Sequence, residues 1–242
     1  MTKKKAIELT RFEAAEYIDQ SVLKPEFNDE EIRKYIQEGI DFGCKTVCVN
    51  PTSLDIAAEL TKGTKTKICV TCDFPFGLSP TEVKVQQAKY YVEHYDIFEL
   101  DMVANYGWIR SARWDLYEAD IKAVTEICHK HKTAVKVILE TDALTLEEVH
   151  QACIIAAQVG VDFVKTSTGF FVGARNDGAT IEVLKVMLDA VNGKCKVKAS
   201  GGIRTRERFL DFIDLGVDRM GIGYKSTGTV LNTTIEEVRK EK

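Results

Sequence analysis

Short β-rich runs alternate along this chain with amphipathic stretches of helical length. The runs stand at 17–21, 46–50, 67–72, 97–101, 134–140, 163–165, 196–200 and 219–223. Helical spacing follows near 29–42, 53–61, 80–93, 115–131, 145–159, 179–191, 205–214 and 228–240. Strands that are each followed by a helix pair in parallel, so eight such units predict an α/β fold, a single TIM (β/α)8 barrel. Local signals agree. Asn28-Asp29-Glu30-Glu31, Ser79-Pro80-Thr81-Glu82 and Thr145-Leu146-Glu147-Glu148 offer helix starts with acidic first turns, and Gly43 and Gly160 fit helix ends. In 145–159, Val149, Ala152, Cys153, Ala156 and Ala157 recur at three-to-four spacing and form a narrow face for close packing on strands. An open doubly wound sheet shares the alternation but needs a glycine-rich loop after its first strand. Asp19-Gln20-Ser21-Val22-Leu23-Lys24-Pro25 contains no glycine.

The chain's 242 residues suit one such barrel, which typically takes about 250. One domain over 1–242 is therefore expected, with residues 1–10 as a short N-terminal extension. Lys+Arg 33 against Asp+Glu 37 gives a net charge of −4, with no global basic field for a nucleic-acid partner. The basic start has no apolar run behind it, and no stretch of about 18 apolar residues occurs, so neither export nor a membrane anchor is expected. Seven cysteines, an odd number, sit mostly in apolar runs and read as reduced thiols of a cytoplasmic protein. Cys69-x-x-Cys72 matches a redox or metal spacing, but residues three apart on a strand face opposite ways, so no functional pair is expected there.

In a β/α barrel the chemistry gathers at the C-terminal ends of the strands. Asp19, Asn50, Asp73, Asp101, Glu140, Lys165 and Lys198 are expected there. Lys165 ends the apolar run from Val161, where an ammonium needs a partner or a lowered pKa. Lys198 is assigned to the end of the next strand. Neighbouring strands lie about 4.8 Å apart, so the two amines can meet, and two like charges favour releasing one proton to give an amine nucleophile. Asp101, across from them, can relay protons. Alternation places Glu99 and Lys136 as a pair one layer below, with Lys196 near the lower end. Ser200-Gly201-Gly202 and Gly221-Ile222-Gly223 put permissive backbone where barrels cradle phosphate.

Asp19-Gln20-Ser21-Val22-Leu23-Lys24-Pro25, Val47-Cys48-Val49-Asn50-Pro51, Phe74-Pro75-Phe76-Gly77, Glu99-Leu100-Asp101-Met102-Val103, Val164-Lys165-Thr166-Ser167-Thr168-Gly169-Phe170 and Lys198-Ala199-Ser200-Gly201-Gly202 stand in collinear order and resemble the deoxyribose-phosphate aldolase family. The resemblance implies a metal-independent class I aldolase with no cofactor beyond a covalent imine on Lys165. That activity is the reversible cleavage of 2-deoxyribose 5-phosphate to acetaldehyde and glyceraldehyde 3-phosphate. It implies Lys198 as the second, perturbing lysine, Asp101 in the proton relay, and Cys48 and Thr168 lining the substrate pocket. Its partners would be a small sugar phosphate or aldehyde and, as family members are often dimers, a second copy of the chain. Departures from the family pattern stand at Gln20-Ser21, at Asp73, in the 169–178 loop and at Tyr224-Lys225. Asp73 could hydrogen-bond a sugar hydroxyl, Lys225 could pair with phosphate, and Tyr224 could narrow the pocket, so a Schiff-base aldolase for another sugar is the alternative. A non-catalytic sugar-phosphate-binding barrel and a barrel isomerase using Asp101 and Glu140 are the readings from other classes.

Overall fold

The computed structural model describes residues 4–241. Its strands are β1 Ile18–Val22, β2 Thr46–Val49, β3 Lys67–Cys72, β4 Glu99–Val103, β5 Ala134–Ile138, β6 Phe163–Lys165, β7 Lys196–Ser200 and β8 Arg219–Gly223. They follow one another in chain order around a closed barrel, as the alternation predicts. The helices are α1 Arg11–Ala15, α2 Asp29–Phe42, α3 Leu54–Thr61, α4 Thr81–His94, α5 Tyr106–Arg110, α6 Trp114–Lys130, α7 Leu146–Val159, α8 Ile181–Val191, α9 Arg206–Leu215, α10 Thr227–Leu231 and α11 Ile235–Lys240. The contacts group the chain into two compact units, Met1–Cys69 with Ile203–Lys242, and Val70–Gly202.

In the first unit β1 pairs in parallel with β2 and with β8, Asp19 standing beside both Thr46 and Gly221. α2 opens on a reciprocal cap between Asn28 and Glu31 and ends at Gly43, whose φ of 77° suits a residue without Cβ. The expected single helix over 228–240 is two helices. Asn232 turns left-handed with φ 55° to close α10, and Thr234 then caps α11 through Glu237. The extension expected at 1–10 lies outside the described residues at 1–3. Its remainder is docked within this unit: Ala6 is fully buried and its N–H donates to Asp214 at 2.7 Å.

In the second unit β4, β5, β6 and β7 pair in parallel, with Asp101 beside Lys136, Ile138 beside Lys165, and Lys165 beside Lys198. Paired residues project to one face, and so do residues two apart on a strand. Leu100, Met102, Val135, Val137, Val164 and Val197 thus share the opposite face, and all are fully buried. Burial on both faces explains why these strands read as short apolar runs interrupted only by ions. Two boundaries move in a way that matters for chemistry. β4 runs on to Val103, which puts Asp101 mid-strand, and Lys198 is likewise mid-strand in β7. β5 stops at Ile138 because Glu140 turns left-handed with φ 59°.

Candidate active site

The charged face of β4–β7 converges on one carboxylate. Lys165 Nζ and Lys198 Nζ both donate to Asp101 Oδ2, at 2.7 and 2.8 Å, and Lys136 Nζ donates to Oδ1 at 2.9 Å. Lys136 also meets Glu99 at 2.5 Å. The pairing of Glu99 with Lys136 expected from alternation is present, but Lys136 is not confined to a layer below. Its single ammonium bridges Glu99 and Asp101, a consequence of register, since Asp101 stands directly beside it. Asp101, Lys136 and Lys198 are fully buried and Lys165 is 3% exposed. Burial acts to raise the Asp101 carboxyl, but Lys136, Lys165 and Lys198 together outweigh it and hold the group well below the usual carboxylate range. Lys196, expected at the lower end, is exposed there with its ammonium 5.3 Å from the Phe163 ring centre.

Beyond the strand ends, the segment that follows Lys165 is held from both sides. Leu139 N–H donates to Lys165 O at 2.9 Å and Thr141 N–H to Thr166 O at 3.0 Å. Glu140, 1% exposed, accepts from Thr168 N at 3.2 Å and from the Thr168 hydroxyl at short range. Burial is the main influence on Glu140 and raises its carboxyl; Thr168 and the nearby Lys165 charge act against it.

Ser200, expected to meet a ligand, has its hydroxyl engaged inside the protein. It donates to Ser167 O at 2.5 Å and accepts from Ser167 N at 3.3 Å, while Thr166 Oγ1 joins its backbone. Ser200 therefore clamps the segment after β6 to the end of β7. Gly201 has φ 85°, and a Cβ there would stand 3.0 Å from Gly178 Cα; Gly202 has φ 72°. Their first requirement is backbone conformation and close approach of two loops.

Asp73 has also found a partner within the protein. Its carboxylate accepts from Ser79 N at 2.8 Å and from Ser79 Oγ at 2.7 Å, closing the turn that leads into α4. Its φ of 51° is a left-handed backbone that glycine, asparagine and aspartate tolerate better than other residues. Ser167 was not anticipated. It is 1% exposed and its hydroxyl has no hydrogen-bond partner among the described residues. Only its place inside the Lys165-Thr166-Ser167-Thr168 motif could have drawn attention to it.

Six of the anticipated residues belong to the first unit. Asp19 is buried mid-strand and pairs with Arg219 at 2.6 Å, and Cys48 is fully buried in β2. Gly223 ends β8 with open space where a Cβ would project. Lys225 lies 5.6 Å from the ring centre of Tyr224, whose ring packs on Tyr35 at 4.0 Å and Phe27 at 5.1 Å. Tyr224 is thus part of an aromatic cluster with α2, beside a cavity of about 340 Å³ lined by Lys34, Glu38 and Lys225 among others. Asn50 Nδ2 donates to Leu23 O at 3.2 Å. In the second unit Cys72 Sγ turns to α4, toward Lys84 O at 3.6 Å.

Residues 13–228 match the model of the DeoC/LacD family of aldolases. The chain is 45% identical over 205 residues to a deoxyribose-phosphate aldolase of Streptococcus sanguinis, covering 85% of this chain and 90% of the relative. It is 42% identical over 215 residues to one from Thermococcus kodakarensis, covering 88% and 94%. Among solved structures, an aldolase designated QR15 superposes with a TM-score of 0.81 at 34% identity, over 94% of this chain and 96% of its own. A tetrameric deoxyribose phosphate aldolase from Aeropyrum pernix gives 0.81 at 26% identity, over 92% and 91%. With three lysines gathered on one aspartate inside a region matched almost end to end, this chain belongs to the DeoC/LacD family of aldolases.

Proposed function

We propose that this aldolase cleaves 2-deoxyribose 5-phosphate reversibly to acetaldehyde and glyceraldehyde 3-phosphate, with Lys165 forming the imine. The observation that carries this reading is that Lys165 and Lys198 share a single oxygen of Asp101. Lys165 is the less enclosed of the two and takes the nucleophile's part.

Its amine adds to the C1 aldehyde to give a carbinolamine, and Asp101, between the amines, carries protons as water leaves and the iminium forms. The C3 hydroxyl then loses its proton and the C2–C3 bond breaks. Its electron pair flows into the iminium as an enamine, and glyceraldehyde 3-phosphate departs. Protonation of the enamine carbon and hydrolysis release acetaldehyde and the amine. No metal is needed to hold the electron pair, and three amines around Asp101 oppose a cation there.

The side chains of Asp73 and Tyr224, two of the departures that pointed to another sugar, have partners inside the protein, which favours the deoxyribose phosphate reading. Seven free thiols support a reducing, cytoplasmic setting. Among the described residues no helix is long and apolar enough to cross a membrane. Association with further copies of the chain is supported by the tetrameric relative.

The test is borohydride reduction with acetaldehyde present, followed by peptide mass spectrometry. An ethyl group on the peptide containing Lys165 is expected. An unlabelled protein, as a sugar-phosphate-binding barrel or an acid–base isomerase would give, overturns the reading, and so does full turnover by Lys165→Arg.

A further inference from the structure

The loop that follows β6 has little internal support. Residues Val172 to Asp177 are exposed, and between Phe171 and Gly178 no backbone–backbone hydrogen bond is made among the described residues. One buried carboxylate holds its far end. Asp142, 6% exposed, accepts from Asp177 N–H at 3.2 Å and from Gly178 N–H at 2.9 Å, one oxygen to each. The imine chemistry leaves Asp142 without a part.

Gly178 carries this hold to the end of β7. It is buried with φ 65°, and a Cβ built on it would stand 2.5 Å from both the carbonyl carbon and the oxygen of Gly201, so the two backbones touch. Ala179 N–H extends the contact, donating to Ser200 O at 3.1 Å and to Gly201 O at 3.2 Å. The turn fixed in this way presents the N–H groups of Gly201 and Gly202, which meet no acceptor among the described residues. Both glycines are left-handed, with φ 85° and 72°. Successive amides in a turn form a concavity for an anion, and barrels commonly hold phosphate in the loops after strands 7 and 8. The unpartnered Ser167 hydroxyl stands beside the same turn, 3.6 Å from the place a Gly201 Cβ would take.

We infer that Asp142 is a positioning residue for the phosphate of the substrate: through Gly178 it fixes the Gly201 and Gly202 amides, and so favours phosphorylated over unphosphorylated deoxy sugars. The inference rests on the aldolase reading above and deepens its substrate recognition. Amides held rigidly form charge-assisted hydrogen bonds to phosphate at little ordering cost, whereas those of a loosened turn must be ordered first. A carboxylate has the same sign of charge as a phosphate and cannot attract it directly. The effect of Asp142 therefore passes through the backbone it holds.

The experiment compares steady-state cleavage of 2-deoxyribose 5-phosphate and 2-deoxyribose. Asp142→Ala frees the loop end and should raise KM for the phosphorylated sugar about tenfold, with kcat within about twofold, as expected when uniform binding is lost. For 2-deoxyribose kcat/KM should move less than about twofold, so the preference for phosphate shrinks about tenfold. Inhibition by inorganic phosphate should weaken by the same factor. Asp142→Asn keeps one acceptor oxygen for the two amides and should shrink the preference by about threefold.

Equal falls for both sugars, carried by kcat, would leave Asp142 a part in the fold alone and overturn the inference. Tighter phosphate binding in Asp142→Asn would overturn it too, because the carboxylate would then act by repulsion. Should Asp142→Ala not fold, Asp142→Asn decides, and an unchanged preference there overturns the inference. Borohydride trapping with acetaldehyde, which carries no phosphate, separates the two levels. An ethyl label on Lys165 with an unchanged preference sinks only this inference, whereas no label on the unaltered protein sinks the aldolase reading and this inference with it.

Discussion

The buried lysines of the second unit are built into two ion clusters of opposite balance. Lys84 on α4 is fully buried and donates to Asp120 at 2.7 Å and to Val103 O at 3.2 Å, with Asp73 at 4.0 Å. The other Asp120 oxygen accepts from Thr81 at 2.8 Å. One ammonium is matched to two carboxylates and a carbonyl. On the charged face of β4–β7 the ratio inverts, with three amines facing two carboxylates, Asp101 and Glu99. The same residue types make a structural tie where carboxylates predominate and a chemical centre where amines do. Burial alone does not mark a catalytic lysine; the composition of its immediate surroundings does.

The sharpest way to break this contrast is at the proposed nucleophile. Lys165→Met should abolish turnover, by at least about 10⁴-fold in kcat/KM, because no other group can form the imine. A steady-state assay of deoxyribose 5-phosphate cleavage checks it, and residual activity within tenfold of the unaltered protein would shift the nucleophile to another amine.

Asp101→Asn is next in size. Without the carboxylate the proposed proton relay is lost, and kcat should fall about 10²- to 10⁴-fold. The buried amines also lose their counter-charge, so stability should drop by about 3–5 kcal/mol in urea unfolding. Because the Asp101 carboxyl is depressed in the folded protein, its contribution is fully present above the unfolded value of about 3.9 and disappears as pH falls below that toward the folded one. Acid unfolding monitored by circular dichroism should therefore show a stability loss below about pH 4 that Asp101→Asn lacks. Glu140 runs the other way. Its carboxyl is raised, so its ionised form weakens the fold above the raised value and that penalty is relieved on acidification.

On the structural side, Lys84→Met should leave Asp120 buried without its cation and cost about 3–5 kcal/mol. Lys84→Met with Asp120→Leu should recover most of that loss, since an apolar pair of similar volume removes the stranded charge. Thermal unfolding of the three proteins measures it. A catalytic defect in the double variant comparable to Asp101→Asn would erase the distinction between the two clusters.

How much of this was legible beforehand follows from strand alternation. The order of strands and the joint appearance of Lys165, Lys198 and Asp101 could be read because parity and motif agree, and Glu99 beside Lys136 could be read for the same reason. Register could not be read. A two-residue extension of β4 moves Asp101 from a strand end to the middle, and this brings Lys136 within reach of it. The left-handed turn at Glu140 was equally hidden, because a non-glycine residue carries no sign that it will end a strand that way. The internal partners of Asp73 and Ser200 were hidden for one reason. A polar side chain after a strand is as ready to close its own loop as to meet a ligand, and only the partners Ser79 and Ser167 tell the two apart.

Asp73 supplies the smallest effect and the finest test of the comparison. Its carboxylate holds Ser79 through two hydrogen bonds and stands 4.0 Å from Lys84, so it belongs with the structural cluster. Asparagine tolerates the left-handed backbone at this position and can still accept from Ser79 through its amide oxygen. Asp73→Asn should therefore cost about 1 kcal/mol, the worth of one weakened charge-assisted hydrogen bond, and KM for deoxyribose 5-phosphate should move less than about twofold. Ser79→Ala should cost a similar amount, and combining the two should add little, because each removes the other's partner. If KM instead rose about tenfold or more in Asp73→Asn while Ser79→Ala left it alone, the carboxylate would be reading the sugar, and the boundary between the two clusters would have to be redrawn through this residue.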